Sequence, residues 1–155
     1  MTPWTVRQLL DATGGALLAP CGSSASDPVV TGIGLDSRHL QPGHAFLAIR
    51  GPRFNAHDFL GDAIARGAAC VIVQERPAAA LPVPAMLVPD TVKALGALAA
   101  SYRKRFSLPV IAITGSCGKT TTKELIAHLL RAAGAQVLRT SGTQNNHIGV
   151  PLTLL

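Results

Sequence analysis

A glycine-rich loop followed by a lysine and three threonines carries the clearest chemistry in this sequence. The loop, TGSCGKTTTKE at residues 114–124, lies between an apolar run and a run with helical periodicity. Gly115 permits a sharp turn, and Gly118 lets the backbone approach a bound group closely. The first amides of the following helix face the loop without intrahelical partners, so together with the helix dipole they form an anion site.

The residues around these glycines indicate that the anion is a phosphate chain with magnesium. Lys119 adds a mobile positive charge for the outer phosphates, and the Thr120 hydroxyl is placed to ligate Mg²⁺. The loop reads G-x-x-G-K-T, shorter than the standard G-x-x-x-x-G-K-[ST], because Ile113 stands where that pattern has its first glycine. A glycine-rich turn that binds nothing stays open as the alternative. We predict phosphate contacts from Gly115, Ser116, Cys117, Gly118, Lys119, Thr120 and Thr121.

The composition narrows the class of partner. The 155 residues include 14 Lys and Arg against 8 Asp and Glu, and the resulting charge of +6 favours phosphate-bearing partners. Aromatic residues make up only 4%, which argues against binding of single-stranded nucleic acid through stacked bases. No apolar run approaches the roughly 20 residues of a membrane helix, and the 3 cysteines lack paired spacing. We therefore expect a cytoplasmic protein with no nucleic-acid or membrane partner.

The first half of the chain predicts alternating strands and helices. Thr5 and Gln8 form a capping box, which begins a short helix ending at Gly14. Strands are indicated by VVTGIGLDSR, HAFLAI, ACVIVQE and AMLV, and a helix by AHDFLGDAIARGAA. Asp90 caps a further helix that runs roughly to Arg105, with apolar residues at helical spacing.

The second half predicts a parallel strand–helix–strand unit around the glycine loop. PVIAITG at 109–115 has the composition of a buried strand, a helix is expected from Gly118 to Ala133, and AQVLRT at 135–140 predicts another strand. The fold class predicted is α/β, with a small N-terminal α/β substrate domain at 1–88. The start of a parallel-sheet P-loop ATPase domain follows at 89–155, incomplete because one such unit leaves sheet edges and helix faces uncovered.

Three segments resemble the Mur ligase family. The glycine loop is similar to that family's ATP loop, T-G-x-x-G-K-[TS]. The stretches DSRHLQPGHAFLAIRGPRFNAHDFLGDAIARGAA and TSGTQNNHIGVPLTLL are similar to the member that joins D-alanyl-D-alanine to UDP-N-acetylmuramoyl-tripeptide. The resemblance covers nearly the whole chain. It implies those two small-molecule substrates, the cofactors ATP and Mg²⁺, an acyl phosphate route, and catalytic roles for Lys119 and Thr120, with Thr120 as the magnesium ligand.

The resemblance also implies substrate-binding residues and a longer protein. Substrate contacts are carried over to Ser37 and Arg38 in D-S-R, to Arg53, Phe54, His57 and Asp58 in the run G-x-R-F-x-x-H-D-F, and to Thr143, Asn145 and Asn146 in the loop near the phosphates. Asn55 and Ala56 stand where the pattern has Asp-Gly. Without the match, a solvated turn at the D-S-R segment and a plain Asn-rich turn are the alternatives. We expect this chain to be an N-terminal fragment, inactive alone, of a ligase that is a monomer at full length.

Two other functions stay open at this stage. One is a different ATP-dependent amide ligase of the same superfamily, either another Mur-type enzyme or a folylpolyglutamate-type enzyme. The other is a non-catalytic module that binds a nucleotide or a substrate. The segments NNHIGVP and RFNAHDF favour the D-alanyl-D-alanine ligase over these alternatives.

Overall fold

The computed structural model describes residues 3–18, 27–52, 54–141 and 146–155. The strands are β1 (Trp4–Thr5), β2 (Ala16–Leu18), β3 (Val29–Val30), β4 (Gly32–Gly34), β5 (His44–Leu47), β6 (Cys70–Val73) and β7 (Ala85–Leu87). The helices are α1 (Val6–Thr13), α2 (Leu60–Ala65), α3 (Thr91–Arg103), α4 (Lys119–Ala132) and α5 (Gly149–Leu154). Two 3₁₀ turns span Ser37–His39 and Ala56–Phe59.

Five of the strands form one mostly parallel sheet in the order β2-β7-β6-β5-β4. Strands β4, β5, β6 and β7 run parallel to one another, and β2 joins the edge antiparallel to β7. Every residue of β6 is buried, as expected for a central parallel strand covered on both faces. A separate antiparallel ribbon pairs β1 with β3. This architecture confirms the predicted α/β class.

The alternation of side chains along the strands divides the core into two layers. Ala45 and Leu47 of β5 face a layer built with α1 and α3, where Leu95 and Leu98 are fully buried. Phe46 of β5 faces the opposite layer, which α2 and the two 3₁₀ turns cover. Because successive side chains of a strand point to opposite faces of the sheet, one short apolar strand contributes side chains to both layers.

The helix ends follow the local signals in the sequence. The capping box is present, with the Thr5 hydroxyl accepting from Gln8 N and the Gln8 side chain accepting from Thr5 N. The Asp90 carboxylate accepts from Val92 N at 2.8 Å and from Lys93 N at 3.0 Å, which begins α3. Each of these ends depends on residues within three positions of one another, so local sequence is enough to set them.

The two strands predicted around the glycine loop are wrong. Residues 107–118 and 133–141 have no strand pairing, and the side chains of Val110 and Ile111 are 65% and 57% exposed. An extended apolar segment becomes a strand only when a neighbouring strand completes its backbone hydrogen bonds, and neither segment pairs with a strand within the described residues. The helix between them forms as predicted, because its hydrogen bonds are internal.

The structure adds contacts that the sequence patterns did not indicate. Helix α5 packs against α3, and α3 packs against α1. The Trp4 ring stacks on Tyr102 at a centroid separation of 5.9 Å, and the Arg105 guanidinium lies 4.1 Å from the Trp4 centroid. The division of the chain near residue 88 stays a prediction. Within the described ranges, no helix combines the length and the apolar character needed to cross a bilayer.

Candidate functional site: a phosphate loop and a substrate surface

The glycine loop opens directly into the first turn of α4. Gly118 is the residue before the helix and has a φ of 76°, a conformation that favours glycine, and no side chain caps the helix there. Gly115 has a φ of 151° at the other end of the loop. The Lys119 Nζ donates to Gly115 O at 2.5 Å and to Ser116 O at 3.3 Å. The lysine thus lies over the glycine loop. There it would help the amides of the loop to bind an anion.

The remaining loop residues are accessible to a ligand. Ser116, Cys117, Thr120 and Thr121 are all exposed. Among the described residues, the hydroxyls of Thr120 and Thr121 make no hydrogen bond. Uncapped amides, an adjacent ammonium and open hydroxyls form a donor set suited to phosphate oxygens and a hard cation, so the residues present fit ATP with Mg²⁺.

The middle of α4 is tied to the segment that follows the helix. Lys123 Nζ donates to Thr140 O at 2.7 Å, and Arg139 Nη1 lies 2.9 Å from Glu124 Oε1. These contacts hold residues 139–140 beside the second turn of α4. They therefore position the chain leading into the predicted substrate loop.

The D-S-R segment is ordered by its aspartate. Asp36 Oδ1 accepts from Arg38 N at 2.9 Å, which begins the 3₁₀ turn, and Arg38 Nη2 lies 2.7 Å from Asp36 Oδ2. Hydrogen bonds from Arg38 hold the pKa of Asp36 well below its usual range, and Asp36 in turn raises the pKa of Arg38. Asp36 thereby orients the guanidinium of Arg38, and the Arg38 side chain is largely exposed.

Ser37 lies beside this arginine in a surface cleft of about 360 Å³. The residue is only 6% exposed, and its hydroxyl has no hydrogen-bonding partner among the described residues. Arg38, Asp62 and Arg66 line the same cleft. Arg66, at the end of α2, is a second cation that the sequence patterns did not single out.

The run after β5 presents an aromatic residue and a second cavity. Phe54 is 58% exposed and stacks on Phe59 with ring centroids 5.1 Å apart. His57 and Asp58 line a cavity of about 290 Å³ together with Glu75. The predicted substrate residues thus fall into two groups, with Ser37 and Arg38 at one cleft and His57 and Asp58 at another cavity. Helix α2 supplies lining residues to both.

Both ring nitrogens of His57 bond to protein groups. Its Nδ1 lies 2.8 Å from Asn55 Oδ1, and its Nε2 accepts from Gln74 N at 3.1 Å. The side-chain oxygen of Gln74 accepts from Thr91 Oγ1 at 2.9 Å. Burial lowers the pKa of His57, and this effect exceeds the opposing influence of Glu75 and Asp58.

Three of the predicted substrate residues, Arg53, Thr143 and Asn145, lie outside the described residues. Asn146 is described, and its Oδ1 accepts from Gly149 N at 2.7 Å and from Ile148 N at 3.0 Å. This oxygen orders the start of α5. The proposed contact of Asn146 with a substrate stays a prediction.

Two sequence models of Mur ligase domains match the chain. The one described as the Mur ligase family catalytic domain matches residues 29–103, and the Mur ligase middle domain matches residues 113–155. The chain belongs to the Mur ligase family. The first match contains the cleft at Ser37 and the cavity at His57, and the second contains the glycine loop.

Curated relatives of this Mur ligase chain are longer than the chain itself. The UDP-N-acetylmuramoyl-tripeptide--D-alanyl-D-alanine ligase of Escherichia coli is 42% identical over 151 residues, which are 97% of this chain and 31% of that protein. The ligase of the same name from Synechocystis is 45% identical over 84% of this chain and 29% of its own length. The chain therefore spans about 30% of the length of these relatives.

Solved Mur ligase structures share the fold. One crystal structure of MurF from Acinetobacter baumannii has a TM-score of 0.85 and 41% identity, covering 99% of this chain and 33% of that one. The MurF ligase of Thermotoga maritima, solved in complex with ADP, has a TM-score of 0.72 and 35% identity, covering 79% of this chain and 28% of that one. This likeness agrees with the α/β architecture described above.

The Mur ligase motifs did not reveal the partners of their own residues. Gln74 and Thr91 lie 17 residues apart in sequence and bond to each other beside His57. Only Asn55, two residues before His57, offered a local signal, since an asparagine at that spacing often accepts from the backbone ahead of it. The bonds through Gln74 depend on the sheet and could not be inferred from spacing.

Proposed function

We propose that this chain supplies the UDP-substrate surface and the ATP loop of a ligase that joins D-alanyl-D-alanine to UDP-N-acetylmuramoyl-tripeptide. The observation that carries the proposal is the short glycine loop at the start of α4, in a chain 42% identical to the E. coli ligase over 97% of its length. We further propose that the protein is cytoplasmic and monomeric, and that its first domain ends near residue 88.

The proposed chemistry activates a carboxylate for attack by an amine. When bound, ATP with Mg²⁺ would supply the phosphoryl group that converts the peptide carboxylate into an acyl phosphate, a better electrophile. Lys119 would hold phosphate oxygens in place of its bonds to Gly115 O and Ser116 O. Thr120 would provide a hydroxyl ligand for Mg²⁺, and the amides at the start of α4 would hold phosphate oxygens. The chain's contribution is positioning and charge neutralisation.

The substrate half of the proposal is built on the D-S-R segment. Arg38, held in place by Asp36, offers its outward N–H groups to the diphosphate, and the Ser37 hydroxyl accepts or donates one hydrogen bond beside it. Arg66 adds a second positive charge to the same cleft. His57 and Asp58 line the neighbouring cavity, where Asp58 is proposed to contact the substrate and His57 to hold the surrounding turn in place.

Titration of the chain with two ligands tests the proposal. UDP-N-acetylmuramoyl-tripeptide and ATP with Mg²⁺ should bind together, each without displacing the other, because the proposed sites lie on different segments. Arg38→Ala should weaken UDP-substrate binding by about tenfold or more, since charge-assisted hydrogen bonds are worth roughly 1.5–3 kcal/mol, and should leave ATP binding unchanged. Competition between the two ligands would show one nucleotide site and contradict the assignment.

The chain alone should not complete the reaction. In-line phosphoryl transfer needs metal, phosphate and acceptor held together, and imperfect positioning can forfeit about 7–11 kcal/mol of barrier lowering. The relatives place about two thirds of their length outside the matched segment. With both substrates, ATP and Mg²⁺ present, phosphate release should stay at the background rate. Release that depends on both substrates at the rate of a full-length relative would overturn this expectation.

A further inference from the structure

The imidazole of His57 has no ring nitrogen left for a substrate. Its Nδ1 lies 2.8 Å from Asn55 Oδ1, and its Nε2 lies 3.1 Å from Gln74 N. The ring is only partly buried, yet both of its polar atoms are directed at protein groups. A side chain bonded in this way orders its surroundings instead of contacting a ligand.

Backbone N–H groups determine where the ring proton lies. Gln74 N carries a hydrogen that it can only donate, so His57 Nε2 must be the unprotonated acceptor. Asn55 Oδ1 also accepts from His57 N at 3.2 Å, which identifies that atom as the oxygen of the amide. His57 Nδ1 therefore carries the proton and donates it to Asn55. The ring is neutral in this arrangement.

The same bonds join three parts of the fold. Asn55 belongs to the turn after β5, where Gly51 N donates to Phe54 O at 2.8 Å and Ala56 N donates to Ile49 O at 3.0 Å. Gln74 follows the buried strand β6. Its side-chain oxygen accepts from both the backbone N and the hydroxyl of Thr91, the fully buried first residue of α3. His57 thereby connects the turn at residues 50–52 and 54–58, hereafter the substrate turn, to the sheet and to α3.

We propose that His57 is a positioning residue that holds the substrate turn only as a neutral imidazole, and that its protonation releases this turn. A proton on Nε2 would face the Gln74 N–H, so an attractive contact would become a repulsion between two donors. The bond from Nδ1 to Asn55 would survive, but the connection to Gln74 and thus to α3 would be lost. The turn carries Phe54 and Asp58, so their placement depends on this bond.

The charges around the ring set the direction of the effect. Glu75 after β6 and Asp58 in the 3₁₀ turn favour the imidazolium, and Arg50 after β5 opposes it. Arg76 lines the same cavity, and Thr91, the α3 residue bonded to Gln74, carries no charge. Burial is the largest influence and lowers the pKa of His57. Because the folded protein binds this proton less readily than the unfolded chain, the contribution of His57 is present above the unfolded pKa. It is lost as the pH falls through the lower folded pKa.

Nuclear magnetic resonance of the 155-residue chain tests the proposal without any ligand. The ¹⁵N shifts of His57 should show the Nδ1–H tautomer at neutral pH. The protection of the Gln74 amide against hydrogen exchange should fall about tenfold as His57 titrates, the factor expected for one hydrogen bond. The Nε2–H tautomer, or Gln74 protection that does not change through the His57 titration, would overturn it. His128→Gln, which removes an exposed histidine on α4, is the matched control and should leave this transition unchanged.

Asn55→Asp gives a second test that does not depend on a destabilised variant. The carboxylate keeps an acceptor for Nδ1–H but favours the imidazolium, so the titration of His57 and the loss of Gln74 protection should both move to higher pH. Asn55→Leu removes the acceptor and should lower Gln74 protection at neutral pH. Release at the same pH in Asn55→Asp as in the unmodified chain would contradict the role assigned to the neutral ring.

The functional consequence rests on the proposed ligase function. If the substrate turn helps to hold the UDP-substrate, binding of UDP should weaken about tenfold over the pH range in which Gln74 protection is lost, and earlier in Asn55→Asp. A failure of UDP to bind at any pH would count against the proposed function. The hydrogen-exchange data would still test the positioning role of His57, because they need no ligand. UDP that binds equally well on both sides of the transition would refute the link between the turn and the substrate.

Discussion

The Lys119 ammonium lies 2.5 Å from the carbonyl oxygen of Gly115, so the lysine closes the glycine loop on itself. A second contact to Ser116 O, at 3.3 Å, keeps the side chain over the loop. A carbonyl oxygen carries only a partial negative charge, so a phosphate group competes effectively for the same ammonium. The lysine is therefore already beside the position at which the outer phosphates are proposed to bind.

Replacing this lysine should separate the two proposed binding activities. Lys119→Ala removes a charge-assisted contact, and the dissociation constant for ATP should rise about tenfold or more. Binding of the UDP-substrate should not change, because its proposed contacts lie near Arg38. Lys104→Ala, which removes an exposed lysine at the end of α3, serves as the control for the loss of one positive charge. ATP affinity equal to that of the unmodified chain would reject the role of Lys119.

The two cysteines that the structure describes should differ sharply in reactivity. Cys117 is exposed in the glycine loop, whereas Cys70 is buried in β6, where burial raises its pKa to about 12. Because the thiolate is the reactive form, a thiol reagent should modify Cys117 first and leave Cys70 intact in the folded protein. The measurement is best made with Cys21→Ser, since Cys21 lies outside the described residues.

ATP should slow the modification of Cys117 if the loop binds phosphates. The rate constant for labelling should fall as ATP with Mg²⁺ is added, and Lys119→Ala should need a higher ATP concentration for the same protection. Adenosine, which lacks phosphates, is the matched ligand control. Equal protection by adenosine and ATP would show that the loop does not recognise the phosphate chain.

Asp36 should stay ionised in unusually acidic solution. Hydrogen bonds from Arg38 lower its pKa, so its contribution to stability is present above the unfolded pKa and is lost only as the pH falls through the depressed folded value. The ¹³C shift of the Asp36 carboxyl group measures this titration. Arg38→Ala should return the pKa toward its usual range, and Arg66→Ala should not. An Asp36 titration that is the same in Arg38→Ala and the unmodified chain would disprove the pairing.

Leucine truncation should reveal which helices are packed into the core. Leu95 of α3 is fully buried, and Leu95→Ala should lower the free energy of unfolding by about 2–5 kcal/mol. Leu129 of α4 is 58% exposed, and Leu129→Ala should change it by no more than about 0.5 kcal/mol. Denaturant unfolding of the two variants measures this difference, and both variants carry the same substitution of leucine by alanine. A large loss for Leu129→Ala would mean that this face of α4 is covered in solution.

Local sequence determined those features whose interactions are completed within a few residues. The capping box at Thr5, the Asp90 cap and the span of α4 all follow from hydrogen bonds between near neighbours. The glycine loop was equally predictable, because its glycines and Lys119 act through their own backbone and the helix that they begin. The Mur ligase family was also evident from these motifs.

Tertiary structure decided everything that requires a distant partner. The apolar segment 109–113 has the composition of a strand, but nothing within the described residues pairs with it, so it has no strand structure. The substrate role of the segment around His57 stays a prediction, but its bond to Gln74 exists only because the sheet brings Gln74 against the ring. Spacing along the chain cannot show such contacts, because a strand or a buried polar network exists only when separate segments complete each other's hydrogen bonds.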